Sequence, residues 1–227
     1  MNKTAVTPAK IAFMHIPKTG GKSVTQHLIQ ELCEKRAYKH HFILTSEENR
    51  MMDRPGFRNF SAKEIGDIAR DPAPLQFFRN HTPWSGEEFH ELKRQGWFVF
   101  SFVRHPGEIL CSWYHFMQSR YGKWTDKSLE EGVKFKLSEP LSMQWIPDFW
   151  REMDYIREFS EANVRELLED RLGLPFADFP HVNRSANQGY EHYCRVGEIS
   201  EDSRRLIESH EQFRRYLEIK ELDKKSP

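Results

Sequence analysis

The sequence predicts an α/β protein in which a central, mainly parallel sheet is flanked by helices, giving three layers. Short apolar runs alternate with segments whose apolar residues recur at helical spacing, and this alternation is typical of parallel sheets. The strongest strand signal is GWFVFSFVRHP at residues 96–106, because a continuous apolar run is expected where a strand is covered on both faces. Ligands of such sheets bind at the carboxyl ends of the strands, so we expect the functional residues there.

The composition is that of one ordinary globular domain. The chain has 227 residues, of which 38% are hydrophobic and 13% aromatic, enough to bury a substantial core. We therefore predict a single domain, residues 1–227. Thirty-four basic residues balance 34 acidic ones, so no broad positive field favours nucleic acid or a membrane surface as partner, and any anion site must be local.

Two features of the sequence indicate the cellular compartment in which the protein is expected. There is no run of about 18 apolar residues, and the N-terminus lacks an apolar signal core, so we expect neither a membrane span nor a secretory leader. Cys33, Cys111 and Cys194 lie far apart and lack metal-ligand spacing, which favours reduced thiols. The sequence therefore predicts a cytoplasmic protein.

The first part of the chain predicts strands and helices in turn. KIAFMHI at residues 10–16 is a short apolar strand, and a helix with periodic apolar residues follows it. A charged, irregular connector extends to about residue 60. Ser61 and Ser85 are each followed three residues later by a glutamate, which is the spacing of a capping box and predicts that a helix begins at each serine. Between these helices, LQFF at residues 75–78 predicts a second strand.

The same alternation continues after the strand in residues 96–106. Pro106 is well placed as the first residue of a helix, because its fixed φ angle fits the first helical turn. DYIREF at residues 154–159 predicts another strand, and Ser160 is expected to cap the helix behind it. A loop near Asn183 and a last amphipathic helix from about residue 200 to residue 217 complete the chain.

Periodicity fades at about residues 120–150, where tryptophan and phenylalanine accumulate. We expect an insertion on the substrate side of the sheet there. Its aromatic rings could stack on a sugar or cover a hydrophobic acceptor, or they could belong to the core, since aromatic residues dominate both kinds of environment.

The stretch HIPKTGGKS, from His15 to Ser23, joins the first predicted strand to the first predicted helix. A glycine-rich turn at such a place directs backbone N–H groups and the positive end of the helix dipole at one point, where phosphate is the expected occupant. Gly21-Lys22-Ser23 matches the end of the triphosphate loop G-x-x-x-x-G-K-[ST], but Ile16 stands where that motif has its first glycine. The turn predicts a P-loop-type fold, but it does not indicate which phosphate-containing donor binds there.

The end of the strongest strand bears on the identity of that donor. Enzymes that use nucleoside triphosphates usually hold Mg²⁺ with an acidic residue that closes a later apolar strand. Here that strand closes with Arg104-His105-Pro106, and a guanidinium cannot ligate a metal but can bind phosphate through two hydrogen bonds. We therefore expect a donor bound by basic side chains and backbone, without a metal. An ATP-dependent small-molecule kinase is the alternative, motivated by Gly21-Lys22-Ser23.

Taken together, the two motifs resemble those of sulfotransferases that use 3′-phosphoadenosine 5′-phosphosulfate (PAPS), specifically the carbohydrate-type branch. HIPKTGGKS resembles its H-x-P-K-T-G-G-[TS]-S loop, and FVRHPGEILCSWYHF at residues 102–116 resembles its second donor-binding motif. FFRNHTPW at residues 77–84 is similar to its strand ending in a catalytic histidine. DYIREFSEANVRELLEDRLGLP followed by HVNRS is similar to its C-terminal half, so the resemblance extends from about residue 10 to residue 217.

The resemblance implies where the sulfuryl donor binds. The loop would hold the 5′-phosphosulfate end through Pro17, Lys18, Thr19, Gly20, Gly21, Lys22 and Ser23. Arg104 and Ser112 would bind the 3′-phosphate. The branch usually has threonine or serine at the position of Lys22, so this lysine either adds a charge near the phosphate or points outward.

The expected reaction is an in-line transfer of a sulfuryl group to a hydroxyl, in which positioning and charge stabilisation supply most of the catalysis. Lys18 is expected to stabilise the oxygen that leaves sulfur. His81, which matches the family position at the end of a predicted strand, is expected to take the hydroxyl proton, with Glu87, Glu88 and His105 as alternatives. The resemblance implies a saccharide or another small hydroxyl compound as acceptor, and the zero net charge offers no track for a polyanionic chain.

Overall fold

The computed structural model describes residues 6–41, 61–81, 84–138, 145–177, 179 and 199–224, with only the backbone at residues 119 and 120. In this part of the chain, five strands form one sheet: β1 Lys10–His15, β2 Lys39–His41, β3 Gln76–His81, β4 Phe98–Val103 and β5 Tyr155–Glu158. Their order is β2-β3-β1-β4-β5, and each neighbouring pair is parallel. The α/β prediction is confirmed.

Helices connect these strands. The helices of the described residues are α1 Gly21–Leu28, α2 Ala62–Arg70, α3 Gly86–Arg94, α4 Pro106–Tyr121, α5 Leu129–Ser138, α6 Glu161–Arg165, α7 Glu201–Ser209 and α8 Glu211–Asp223. Both α1 and α6 continue into a wider π-helical turn, at Ile29–Glu34 and Glu166–Arg171 respectively, and a short 3-10 helix lies at Asp148–Glu152.

Two apolar cores lie on opposite faces of the sheet, because side chains alternate along each strand. Ile11 and Phe13 of β1 pack into the core that contains apolar residues of α1 and of the α6 segment. Ala12 and Met14, between and after them, pack into the core that contains residues of α2, α3, α4 and α8. The sheet is therefore the middle of three layers.

Local signals place most helix starts where the sequence predicts them. The side chains of Ser61 and Ser85 accept hydrogen bonds from the backbone N–H of Glu64 and Glu88, and both capping boxes are complete. Pro106 is the first residue of α4, and Ser160 accepts from the N–H of Asn163. These predictions are confirmed because each depends on hydrogen bonds within a few residues.

Three predictions of secondary structure need correction. The second predicted strand, residues 75–78, runs instead from Gln76 to His81 as β3. The predicted last helix is broken at His210, whose extended backbone ends α7 and whose Nδ1 accepts from the N–H of Gln212, 3.2 Å away, to begin α8. The predicted irregular connector before residue 60 contains the short polar strand β2, Lys39–His41, which has no apolar run in its sequence to predict a strand. The loop near Asn183 lies outside the described residues.

The aromatic residues at the end of the 120–150 segment belong to the core. Trp145, Phe149 and Trp150 are each at most 7% exposed, and the ring of Phe149 stacks on that of Phe89 of α3 with 4.3 Å between centroids. For these three residues the core interpretation is therefore correct. Earlier in the segment, α5 packs against α4 and α7.

The structure bears on two further predictions, which concern membrane-spanning helices and the oxidation state of the cysteines. Across the described ranges, no helix combines the length and the apolar character needed to cross a membrane. Cys33 is a free thiol, but Cys111 is disulfide-bonded, so the expectation of reduced thiols is wrong for Cys111. Disulfides are typical of oxidising compartments, and the cysteines therefore do not support a cytoplasmic location.

Candidate anion-binding site

The predicted motifs meet at the carboxyl edge of the sheet. The last residues of β1 and β3, His15 and His81, are direct neighbours in the parallel register. Arg104 follows directly after β4, on the other side of β1. The loop between β1 and α1 lies at the same edge, because all these strands run in parallel.

The loop from Ile16 to Gly20 is held by its own hydrogen bonds. The hydroxyl of Thr19, which is fully buried, donates to the carbonyl oxygen of Ile16 at 2.6 Å. The backbone N–H of Ser23 donates to the carbonyl oxygen of Gly20 at 3.0 Å. Lys18 and Gly20 both have left-handed backbones, with φ of 69° and 72°, so the chain turns sharply into α1.

Both glycines of the loop are required by close packing. A Cβ atom at Gly20 would lie 2.0 Å from the ring of Phe159, and one at Gly21 would lie 2.0 Å from Nε2 of His15. No side chain fits at either position unless the ring behind it moves. The glycine-rich turn therefore packs directly on two rings.

The start of α1 has features that favour an anion. Gly20 is its N-cap and provides no side-chain hydrogen bond, and the first turn contains no acidic residue. The first N–H groups of a helix have no partner within the helix, and the helix dipole adds partial positive charge there. These groups and the dipole favour a phosphate-like ligand.

Three cations surround this helix start. The ammonium of Lys18 lies 4.3 Å from the centroid of the Phe116 ring, and Nη1 of Arg104 lies 3.5 Å from the carbonyl oxygen of Lys18. Burial, followed by the positive charges of Lys22 and Arg104, lowers the pKa of Lys18 to about 8. A bound anion would relieve this mutual repulsion, because it offsets all three charges at once.

One face of α4 borders the loop. Glu108, Ser112 and Phe116 follow one another at intervals of four residues, and residues with this spacing share a helix face. Phe116 contacts Lys18, and the Glu108 carboxylate accepts from Nε of Arg104 at 2.5 Å. The partly exposed Ser112 therefore lies between two residues that contact the loop or its cation.

A buried arginine joins the two histidines at the strand ends. Arg79 of β3 donates from Nη2 to Nδ1 of His15 and to Nε2 of His81, the latter at 2.7 Å. The two imidazole rings are 4.6 Å apart between centroids. Arg79 is 6% exposed, as is His15, so this cluster lies beneath the loop on the α1 side of the sheet.

The bond from Arg79 bears on the base role expected for His81. A guanidinium only donates, so Nε2 of His81 must offer its lone pair, and the proton of the neutral ring lies on Nδ1. Burial, and secondarily the charge of Arg79, lowers the pKa of His81 to about 3. In this arrangement His81 is a neutral ring and a very weak base.

The alternative bases have structural roles. Glu88 accepts from the backbone N–H of Ser85 at 2.6 Å within its capping box. Nδ1 of His105 accepts from the N–H of Gly107 at 3.1 Å, which caps α4. Glu87 lies exposed in the first turn of α3, where a carboxylate stabilises the helix dipole.

The sequence predicted Lys18, Arg104, Ser112 and His81 as site residues but did not predict their contacts. It assigned no role to Arg79, Glu108 or Phe116. A signal for Arg79 was present, because it alternates with Phe77 and His81 on one face of β3, where a charged side chain needs polar partners. Among the described residues, no group of three or more His, Cys, Asp or Glu side chains is arranged to hold a metal.

Comparisons with known proteins do not assign a family. No family model matches the chain, and neither does any curated protein. A solved structure described as "Crystal structure of APE1195" is similar at 14% identity and a TM-score of 0.43, over 72% of this chain and 94% of that one. A likeness this weak carries no functional argument, so a functional assignment has to rest on the chain's own residues.

Proposed function

We propose that the chain is a transferase whose donor substrate is an anionic nucleotide, and more particularly a PAPS-dependent sulfotransferase. The observation that carries this proposal is the meeting of an uncapped, glycine-rich helix start with Lys18 and Arg104, which follows β4 at the position where a metal-binding acid would stand. Backbone N–H groups and two kinds of cation suit a ligand with separate phosphate and phosphosulfate groups.

The proposed roles follow the position of each group. Residues 17–23 hold the 5′-phosphosulfate end at the start of α1. Arg104 and Ser112, on the neighbouring junction and on α4, hold the 3′-phosphate. Both assignments are compatible with the geometry, since α1 begins at Gly20 without a side-chain cap or an acidic residue in its first turn, and Nη1 of Arg104 lies 3.5 Å from the carbonyl oxygen of Lys18 in the loop.

Transfer then requires one bond to form and one to break. The acceptor hydroxyl oxygen attacks sulfur, the bond from sulfur to the 5′-phosphate oxygen breaks, and the hydroxyl proton is released. The products are a sulfate ester and 3′-phosphoadenosine 5′-phosphate. Lys18 stabilises the charge that develops on the leaving oxygen, which is the usual contribution of a fixed cation to such a reaction. The acceptor is a saccharide or a small metabolite with a hydroxyl.

Calorimetry tests the donor. We expect the protein to bind 3′-phosphoadenosine 5′-phosphate, and to bind adenosine 5′-phosphate and Mg-ATP much more weakly, because only the bisphosphate engages Arg104. Strong binding of Mg-ATP together with no binding of the bisphosphate would overturn the proposal and favour a small-molecule kinase.

A transfer assay tests the reaction. Incubation with PAPS and a panel of neutral saccharides and small alcohols should yield a sulfate ester together with the bisphosphate. Bisphosphate binding with no transfer to any member of a broad panel would point instead to a nucleotide-binding module without catalysis.

A further inference from the structure

The ammonium of Lys18 is in contact with an aromatic ring. It lies 4.3 Å from the centroid of the Phe116 ring, well within the distance of about 6 Å at which a cation is attracted to an aromatic face. Lys18 belongs to the loop between β1 and α1, and Phe116 belongs to α4. A lysine side chain is a flexible four-carbon stem, so this contact restricts where its charged end lies.

The ring of Phe116 is itself held by two aromatic neighbours on α4. The rings of Trp113 and Tyr121 meet it edge to face, with 5.7 Å and 5.5 Å between centroids and interplanar angles of 83° and 87°. Aromatic pairs favour this arrangement. The helix therefore fixes the ring that the loop lysine contacts.

An aromatic ring holds a cation in a different way from a carboxylate. Arg104, the other cation that contacts the loop, is paired with Glu108, and that ion pair offsets its charge. The ring of Phe116 carries no net charge. An ammonium has three N–H donors, and a ring on one side of it leaves donors for an oxygen on another side. Contact with the ring therefore restricts the Lys18 ammonium without neutralising it.

We propose that Phe116 is a positioning residue in sulfuryl transfer, whose ring keeps the ammonium of Lys18 in place to stabilise the leaving oxygen. The proposal rests on the proposed function. Phe116 takes no part in the bonds that form and break, and it acts only through Lys18. A cation that is already in place needs no reorganisation as the reaction proceeds, which is the basis of electrostatic catalysis.

The charged groups around Lys18 come from three other elements. Burial lowers its pKa most, followed by the positive charges of Lys22 in α1 and Arg104 after β4. Lys18 in turn opposes protonation of His15 in β1, and Glu108 of α4 pairs with Arg104. The attraction of the Phe116 ring opposes these effects, because it favours the charged form of the amine.

Lysine NMR of the full chain, without donor or acceptor, tests the contact. Phe116→Leu removes the ring but keeps apolar bulk. We expect it to lower the pKa of Lys18 by about half a pH unit or more from the parent value of about 8. Phe116→Tyr keeps a ring and should stay close to the parent, and Lys18→Arg assigns the signal. An unchanged pKa in Phe116→Leu would overturn the proposal.

Steady-state kinetics test the consequence for turnover. We expect Phe116→Leu to lower kcat by about 3–30-fold, with bisphosphate affinity close to that of the parent, and Phe116→Tyr to retain kcat within about threefold. Phe135→Leu is the matched control, because the ring of Phe135 is 45% exposed on α5 and meets that of Trp124; its kcat should not change. A higher kcat in Phe116→Leu would overturn the proposal, since the ring would then draw the ammonium away from the donor.

A double-mutant cycle tests whether Phe116 acts through Lys18. In the Lys18→Ala background there is no ammonium to hold, so Phe116→Leu should change kcat by less than about twofold. A purely structural role would give the same loss of kcat in both backgrounds, and that result would overturn the proposal.

Two measurements keep the possible failures apart. Thermal unfolding of each variant identifies a loss of kcat that comes from loss of the fold. If the parent protein neither binds the bisphosphate nor transfers a sulfuryl group, the proposed function is wrong and the role of Phe116 is overturned with it. If the parent is active and Phe116→Leu changes neither kcat nor the pKa of Lys18, only the role of Phe116 is wrong.

Discussion

The two junctions at which β1 and β4 lead into helices have the same architecture but differ in how the helix begins. At the first, α1 starts on Gly20 without a side-chain cap or an acidic residue in its first turn. At the second, His105 caps α4 through Nδ1, Pro106 occupies the first helical position, and Glu108 lies in the first turn. The start of α4 is capped by a side chain of its own turn, whereas the start of α1 has no side-chain cap.

The difference shows that the residues at the turn, more than the fold, decide whether a helix start is capped by its own chain. Arg104 connects the two junctions, because it follows β4 yet extends to the carbonyl oxygen of Lys18 in the β1 loop. Its guanidinium also pairs with Glu108, a carboxylate that would compete with the 3′-phosphate of the proposed donor. The second junction therefore supplies a cation to the first.

Replacing Gly20 tests the closest packing of the first junction and has the largest expected effect. Gly20→Ala meets both a left-handed backbone and the ring of Phe159 at 2.0 Å, and should lower the free energy of unfolding by about 2–5 kcal/mol and abolish bisphosphate binding.

Gly96→Ala is the matched control. Its φ of 76° is nearly the same, but no atom lies within 4 Å of the added Cβ, so we expect a loss of about 1–2 kcal/mol from the backbone alone. Urea unfolding measures the free energy of unfolding of both variants. Equal decreases in Gly20→Ala and Gly96→Ala would mean that the contact with Phe159 is unimportant.

Removing the ammonium of the first junction should affect turnover more than binding. Lys18→Ala is expected to lower kcat by about 10²–10³, because the interaction strengthens as the leaving oxygen gains charge. Steady-state kinetics at saturating donor and acceptor measure the effect, with Lys18→Arg as the charge-preserving comparison. Unchanged kcat in Lys18→Ala would remove Lys18 from the mechanism.

Variants of the second junction should change donor binding. Arg104→Ala removes a charge-assisted bond worth about 1.5–3 kcal/mol, so bisphosphate affinity should fall by about 10–100-fold, with little change for adenosine 5′-phosphate.

Glu108→Gln tests the ion pair itself. It releases Arg104 from a competing carboxylate and should strengthen bisphosphate binding by a few-fold. Calorimetry with both nucleotides measures these effects, and weaker binding in Glu108→Gln would show that Glu108 orients Arg104 rather than competing for it.

The pH dependence of donor binding should also be modest. The pKa of Lys18 is about 8 in the free protein, and a bound anion raises it, so binding takes up a proton. Affinity is therefore full only well below pH 8 and falls as pH rises through about 8. Between pH 7.5 and pH 9 we expect a decrease of up to about eightfold. Lys18→Arg should flatten this profile, and an equally steep profile in that variant would assign the proton to another group.

The sequence alone predicted the parts that depend on neighbouring residues. The apolar run before Arg104, the capping boxes at Ser61 and Ser85, and the turn that ends in Gly21 are visible because periodicity and short-range hydrogen bonds act within a few positions. The parallel sheet follows from the alternation of such elements, and its carboxyl edge follows as the place for the site.

Only the tertiary structure decided which side chains meet. Arg79 bonds His15 because β1 and β3 pair in register across 64 positions of sequence, and Phe116 contacts Lys18 because α4 packs beside the β1 loop. Such contacts are set by burial of whole strands and helices, which no short segment encodes. The sequence therefore predicted Lys18, Arg104 and His81 as site residues, and only the packing determined which groups each of them contacts.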